Sequence, residues 1–99
     1  MAADGWTFLT NHAGVLLCIS RDPSVRLSEV AERVGITERA TQRIVADLCE
    51  GGYILRSRVG RRNVYEVDLE RPLRHGAMVG RRVGELLALL TADAGASGS

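Results

Sequence analysis

The chain has 99 residues, 45% of them hydrophobic, which suits one domain with a single modest core and is too short for two. Its formal net charge is only +1, which excludes a histone-like protein held to a polyanion by bulk charge. No basic patch followed by an apolar stretch opens the chain, and the longest apolar run, residues 13–19, is too short to span a bilayer, so a cytoplasmic setting is expected with Cys18 and Cys49 as free thiols.

Residues 1–5 read as a frayed start, followed by an apolar cluster of Trp6, Phe8 and Leu9. Thr10 or Asn11 is placed to cap a first helix over 12–21, with Val15, Leu16 and Ile19 on one face. Asp22-Pro23-Ser24 ends it, because proline cannot continue a helix and restricts the residue before it. A short extended stretch, 25–27, leads to a second helix over 28–34, with Leu27, Val30, Ala31 and Val34 at helical spacing. Gly35 stops that helix and Ile36 is a buried turn residue. Thr37 caps a third helix, 38–50, whose apolar positions (Ala40 or Thr41, Ile44, Val45 and Leu48) form one stripe at three-four spacing. Gly51-Gly52 ends it.

Residues 53–59 and 64–67 have strand composition, and the Gly60-Arg61-Arg62-Asn63 between them is a turn, which predicts a β-hairpin. A connector over 68–72 precedes a final helix from Arg74 or His75 to Leu90. Val79, Val83, Leu86 and Leu90 fall at offsets of four, three and four, a coiled-coil-like seam. The seam predicts a homodimer through a helix at about 74–91, the competing expectation being that the stripe packs in the chain's own core, with 92–99 as a disordered tail. The whole is read as one domain over 1–91.

No catalytic signature is present: no GxSxG elbow, no phosphate-binding Walker loop, no HExxH and no dense carboxylate cluster, so no enzyme is expected. His12 and His75 are isolated, and nothing brackets the four ligands of a zinc site; neither a metal nor a cofactor is expected. The charge, though small in sum, is unevenly placed. From residue 26 to 62 stand eight arginines against five acids, a surplus of three, and after Glu50 no acid occurs until Glu66. All 13 basic residues are arginine.

Residues 27–67, LSEVAERVGITERATQRIVADLCEGGYILRSRVGRRNVYEV, thus give two helices joined by a short glycine-containing turn and then a basic hairpin. This segment resembles the winged helix-turn-helix of the MarR and ArsR groups of bacterial transcriptional regulators. The resemblance lies in the LxxVAxxVGI turn, the capping Thr37, the helix exit from Leu48 to Ile54 with its glycine pair, and the Arg/Gly/Asn hairpin. It implies an α+β fold, a three-helix core with a small β-hairpin wing plus a C-terminal helix, and a regulator that binds double-stranded DNA. The paired cysteines that open the recognition helix of the metal-sensing ArsR branch have no counterpart here.

The residue chemistry agrees with that implication. A recognition helix buries one face on its scaffold and offers the other to the major groove. With Ile44, Val45 and Leu48 buried, Glu38, Arg39, Gln42 and Arg43 are left outside. Arginine grips guanine, glutamine grips adenine, and Glu38 either accepts from cytosine or orients Arg39. Thr37 and the positive helix end suit a phosphate. Arg61 and Arg62 at the hairpin tip, with Asn63, are expected in the minor groove or on phosphate, and Arg56 and Arg58 on the backbone. The competing expectation is a winged-helix module that docks on other proteins of a transcription or replication complex, which the near-neutral charge favours.

Overall fold

The computed structural model describes residues 8–74 and 76–96; Trp6 of the expected apolar cluster and His75 lie outside them. Helix α1 spans Asn11–Arg21 and is capped by Thr10, whose Oγ1 accepts from the Ala13 N–H at 3.3 Å. Past its end, the Asp22 carboxylate accepts from the Ser24 N–H and hydroxyl at 3.2 and 3.3 Å, closing the turn at Pro23.

Helix α2, Leu27–Val34, starts one residue earlier than expected, with Arg26 as N-cap. Arginine has no side-chain acceptor, so only one arm of a capping box forms here: the Glu29 carboxylate accepts from the Arg26 N–H at 3.4 Å. The Ala31 carbonyl takes the N–H groups of both Gly35 and Ile36, at 2.8 and 3.0 Å. Three residues, 35–37, then turn the chain into α3, Glu38–Glu50.

The helices meet on Val15, Leu16 and Ile19 of α1, Val30 and Ala31 of α2, and Ile44, Val45 and Leu48 of α3, all buried. Each fully buried aliphatic side chain contributes about 1.5–3 kcal/mol relative to exposure, so this cluster dominates the stability of a small domain. Ile54, Tyr65, Val83 and Leu87 complete it from the hairpin and the last helix.

Strands β1, Ile54–Val59, and β2, Arg62–Val67, pair antiparallel with Ile54 opposite Val67 and Val59 opposite Arg62. The turn is therefore two residues, Gly60-Arg61, and Arg62 and Asn63 belong to the strand. Gly60 has φ +64° and no non-glycine described residue has positive φ. That is the demand of a type II′ turn, which matches the twist of a hairpin. On its other side β2 meets the α1–α2 connection, where the Tyr65 N–H donates to the Pro23 carbonyl at 2.9 Å.

The last helix departs most from expectation. Helix α4 spans Val83–Ala96, beginning about nine residues later and extending into the expected tail. Before it come a short 3-10 helix, Gly76–Met78, and Gly80 at φ +86°, a left-handed conformation that ends any helix reaching it. The segment 81–84 instead lies against 69–73, with Val83 N–H to Arg71 carbonyl at 2.8 Å and Leu73 N–H to Arg81 carbonyl at 2.9 Å. Alanines at 92, 94 and 96 favour helix, while Asp93 and Gly95 between them do not, so this composition does not announce the extension. The seam of Val79, Val83, Leu86 and Leu90 is accordingly not one stripe. Val79 precedes α4 and is exposed, whereas Val83 is 1% exposed and packs in the chain's own core with Leu87. Leu86 and Leu90 are half-buried, and Leu89, not part of the expected seam, is 75% exposed.

Candidate nucleic-acid interface

Helix α3 is held at both ends. Thr37 caps it, its Oγ1 accepting from the Ala40 N–H at 3.0 Å while its carbonyl accepts from the Thr41 hydroxyl at 2.9 Å. Near the other end the Asp47 carboxylate lies 2.9 Å from His12 Nε2 of α1. Thr41, Ile44, Val45 and Leu48 are buried on one side. At about 100° per residue Arg39 and Arg43 stand opposite that stripe, with Ala46 and Glu50 continuing the line and Gln42 at its margin. Glu38, Arg39, Gln42, Arg43, Ala46 and Glu50 are all exposed. Glu38 makes no ion pair with Arg39, so it leaves that guanidinium free to turn outward.

The hairpin divides the expected arginines between two faces. Directly opposed residues of an antiparallel pair share a face, and successive residues alternate. Arg56 pairs with Tyr65 and Arg58 with Asn63, so Arg56, Arg58 and Asn63 lie on the face whose base is Ile54 and Tyr65 in the core. Arg62 lies on the opposite face with Leu55, Ser57, Val59, Val64 and Glu66. Its Nη2 reaches back 2.5 Å to the Ser24 carbonyl, so it anchors the hairpin and is not a free tip residue. Arg61, in the turn, is the exposed tip.

Among the described residues, Arg71 pairs with Asp68 at 3.7 Å, Arg81 with Glu85 at 3.2 Å and Arg82 with Glu70 at 3.4 Å. All three belong to the 68–85 segment. No described carboxylate pairs with Arg39, Arg43, Arg56, Arg58, Arg61 or Arg62. The six arginines of α3 and the hairpin thus carry no ion pair, while three of the four arginines in the 68–85 segment do; Arg21, Arg26, Arg33 and Arg74 are likewise unpaired among the described residues. The connector also braces the exit of α3: Arg71 Nε donates to the Gly52 carbonyl at 3.1 Å and the Tyr53 hydroxyl to the Pro72 carbonyl at 2.7 Å. Neither contact was readable from spacing, since each joins residues 19 apart. No three His, Cys, Asp or Glu side chains gather as a metal group among the described residues.

Residues 10–54 match the family model for winged helix-turn-helix DNA-binding domains. Three helices followed by a two-stranded antiparallel hairpin make the fold a winged helix-turn-helix, and residues 10–54 are similar to its DNA-binding family. The match runs from the cap of α1 to the first residue of β1, and the hairpin that follows supplies the wing. No curated protein is similar enough to the chain to count as a match. In this winged helix-turn-helix α2 and α3 are the helix pair, α3 is the helix with an outward polar face, and no helix among the described residues is long and apolar enough to cross a membrane.

Proposed function

We propose that this protein is a sequence-specific, dimeric transcriptional regulator of the MarR/ArsR-like kind that acts on double-stranded DNA in the cytoplasm. The observation that carries the proposal is the group of exposed arginines on the outward side of α3 and on the wing that no described carboxylate pairs. In this reading Arg39, Gln42 and Arg43 read base edges in the major groove, with Glu38 beside them and Thr37 holding the helix start near a phosphate. Arg61 takes the minor groove or the flanking phosphates, and Arg56, Arg58 and Asn63 contact the backbone. The alanine at position 46 keeps the outward line of α3 low enough to approach the groove floor.

A second copy would place two α3 helices in successive major grooves, about 10 base pairs apart. The exposed Leu89, flanked by half-buried Leu86 and Leu90, supports pairing through α4, with Val79 nearby in sequence and Val83 serving the core.

The test is a fluorescence-anisotropy titration against a pool of random duplexes at low and moderate salt, followed by sequencing of the bound fraction. Salt-sensitive binding that enriches a two-fold-symmetric motif is the expected result. No binding at low salt would overturn the DNA reading and leave a module that docks on other proteins.

A further inference from the structure

A cleft lies between the wing and the α1–α2 connection, lined by Arg26, Arg61, Arg62 and Asn63 over a floor that includes Val25 and Tyr65. Three guanidinium-bearing residues thus converge from two elements that are distant in sequence. None of the three is ion-paired among the described residues, and no carboxylate residue lines the cleft. Of the acids near it in sequence, Asp22 is occupied by the Ser24 N–H and hydroxyl, Glu29 accepts from the Arg26 backbone N–H, and Glu66 lies on the strand face opposite Tyr65.

The cleft is also held in shape. The Tyr65 N–H to Pro23 carbonyl bond and the Arg62 to Ser24 carbonyl bond tie β2 to the far wall. A two-residue turn makes Val59 and Arg62 the first hydrogen-bonded pair of the ladder, so the next pair, Arg58 and Asn63, points its backbone groups away from each other. The Asn63 N–H therefore lies on the outer edge of β2, and no backbone carbonyl among the described residues outside the ladder accepts it. Fork-shaped cations with a spare backbone N–H, on a rigid frame, are the donor set for a tetrahedral oxyanion.

We propose that this cleft is a phosphate-binding site with Arg26 as its principal free cation. Arg62 is committed to Ser24, and Arg61 sits at the turn. The Arg26 side chain makes no hydrogen bond among the described residues; only its backbone N–H is used, by Glu29. As a seat for a DNA-backbone phosphate the site rests on the reading proposed above; as a seat for a free phosphorylated molecule it stands independently.

The experiment compares wild type with Arg26→Gln and Arg26→Lys, each checked by chemical denaturation. Against the random duplex pool, Arg26→Gln is expected to lower the slope of log affinity on log salt by about 0.9, the contribution of one phosphate. Its deficit then shrinks about threefold between about 50 and 200 mM salt, while Arg26→Lys keeps the wild-type slope. In parallel, inorganic pyrophosphate is added to isotope-labelled protein without DNA. Movement of the Asn63 and Tyr65 amides in wild type but not in Arg26→Gln assigns a free phosphate to the cleft, even if no duplex binds. A wild-type slope in Arg26→Gln together with unmoved amides overturns the site. If wild type binds no duplex, the pyrophosphate titration alone decides it.

Discussion

Arg62 Nη2 lies 2.5 Å from the Ser24 carbonyl, joining residues 38 apart and fixing the wing to the α1–α2 connection. Its neighbour Arg61 sits at the hairpin tip with no such bond. The two adjacent arginines should therefore separate experimentally. Arg62→Ala is expected to cost about 1 kcal/mol in chemical denaturation, the usual net value of one hydrogen bond, and to speed amide exchange at Tyr65. Arg61→Ala should stay within about 0.5 kcal/mol of wild type and act only on DNA affinity. Equal stability of the two variants would mean that the Ser24 contact anchors nothing.

Arg39 and Arg43 stand on the outward side of α3 with no carboxylate partner among the described residues. Replacing either by alanine should cost about 1–3 kcal/mol on the preferred duplex and much less on random sequence, because a lost bidentate base contact removes discrimination. Arg58→Ala should weaken all sequences alike. If Arg39→Ala and Arg43→Ala lost affinity equally on preferred and random duplexes, α3 would be a phosphate binder and the specificity would lie elsewhere.

Thr37 bears first on stability. Its Oγ1 accepts from the Ala40 N–H at 3.0 Å and serves as the cap of α3. Thr37→Ala should cost about 1 kcal/mol, and Thr37→Ser should restore most of it. A stability loss absent from the alanine variant would transfer the residue's role to DNA contact alone.

Local chemistry made much of this legible from residue types. Thr37 and Gly35 are a cap and a stop whose energetics need only neighbouring backbone, and the Thr41, Ile44, Val45, Leu48 stripe repeats with the helix itself. What escaped were contacts between residues far apart in the chain. Nothing in the run Gly60-Arg61-Arg62-Asn63 says that one arginine reaches Ser24, or that Arg26 faces the same cleft. The last helix shows a different failure. Val79 and Val83 are four apart, which fits a helix seam, but the left-handed Gly80 between them lets Val83 turn into the core. Spacing alone does not distinguish a helical offset from one crossed by a turn.

That relocation separates core from interface in α4. Val83 is buried with Leu87, so Val83→Ala should destabilise the fold by about 2 kcal/mol at any protein concentration. Leu89 is 75% exposed, and Leu89→Glu should leave the monomer's stability within about 0.5 kcal/mol. In sedimentation velocity the Leu89→Glu variant should run as a monomer where wild type runs as a dimer. A dimer that persists through this change would have to pair through another surface.

Glu85, in the first turn of α4, accepts from the Arg82 N–H at 2.7 Å and from the Arg81 guanidinium at 3.2 Å. The Arg82 backbone bond holds its carboxyl below the ordinary glutamate value; desolvation opposes it, and the Arg81 hydrogen bond and the two arginine charges add to the lowering. A carboxylate with a depressed folded value stabilises the fold above its unfolded pKa and loses that contribution as pH falls through the folded one. In that window the unfolded chain binds more protons, so stability rises with pH. Carbon-detected titration of Glu85 should show the lowered midpoint, and Glu85→Gln should flatten the acid limb of the stability curve while leaving α1, α2 and α3 unchanged. An ordinary midpoint at Glu85, with parallel acid limbs for the two proteins, would mean that the α4 start is not held by this carboxylate in solution.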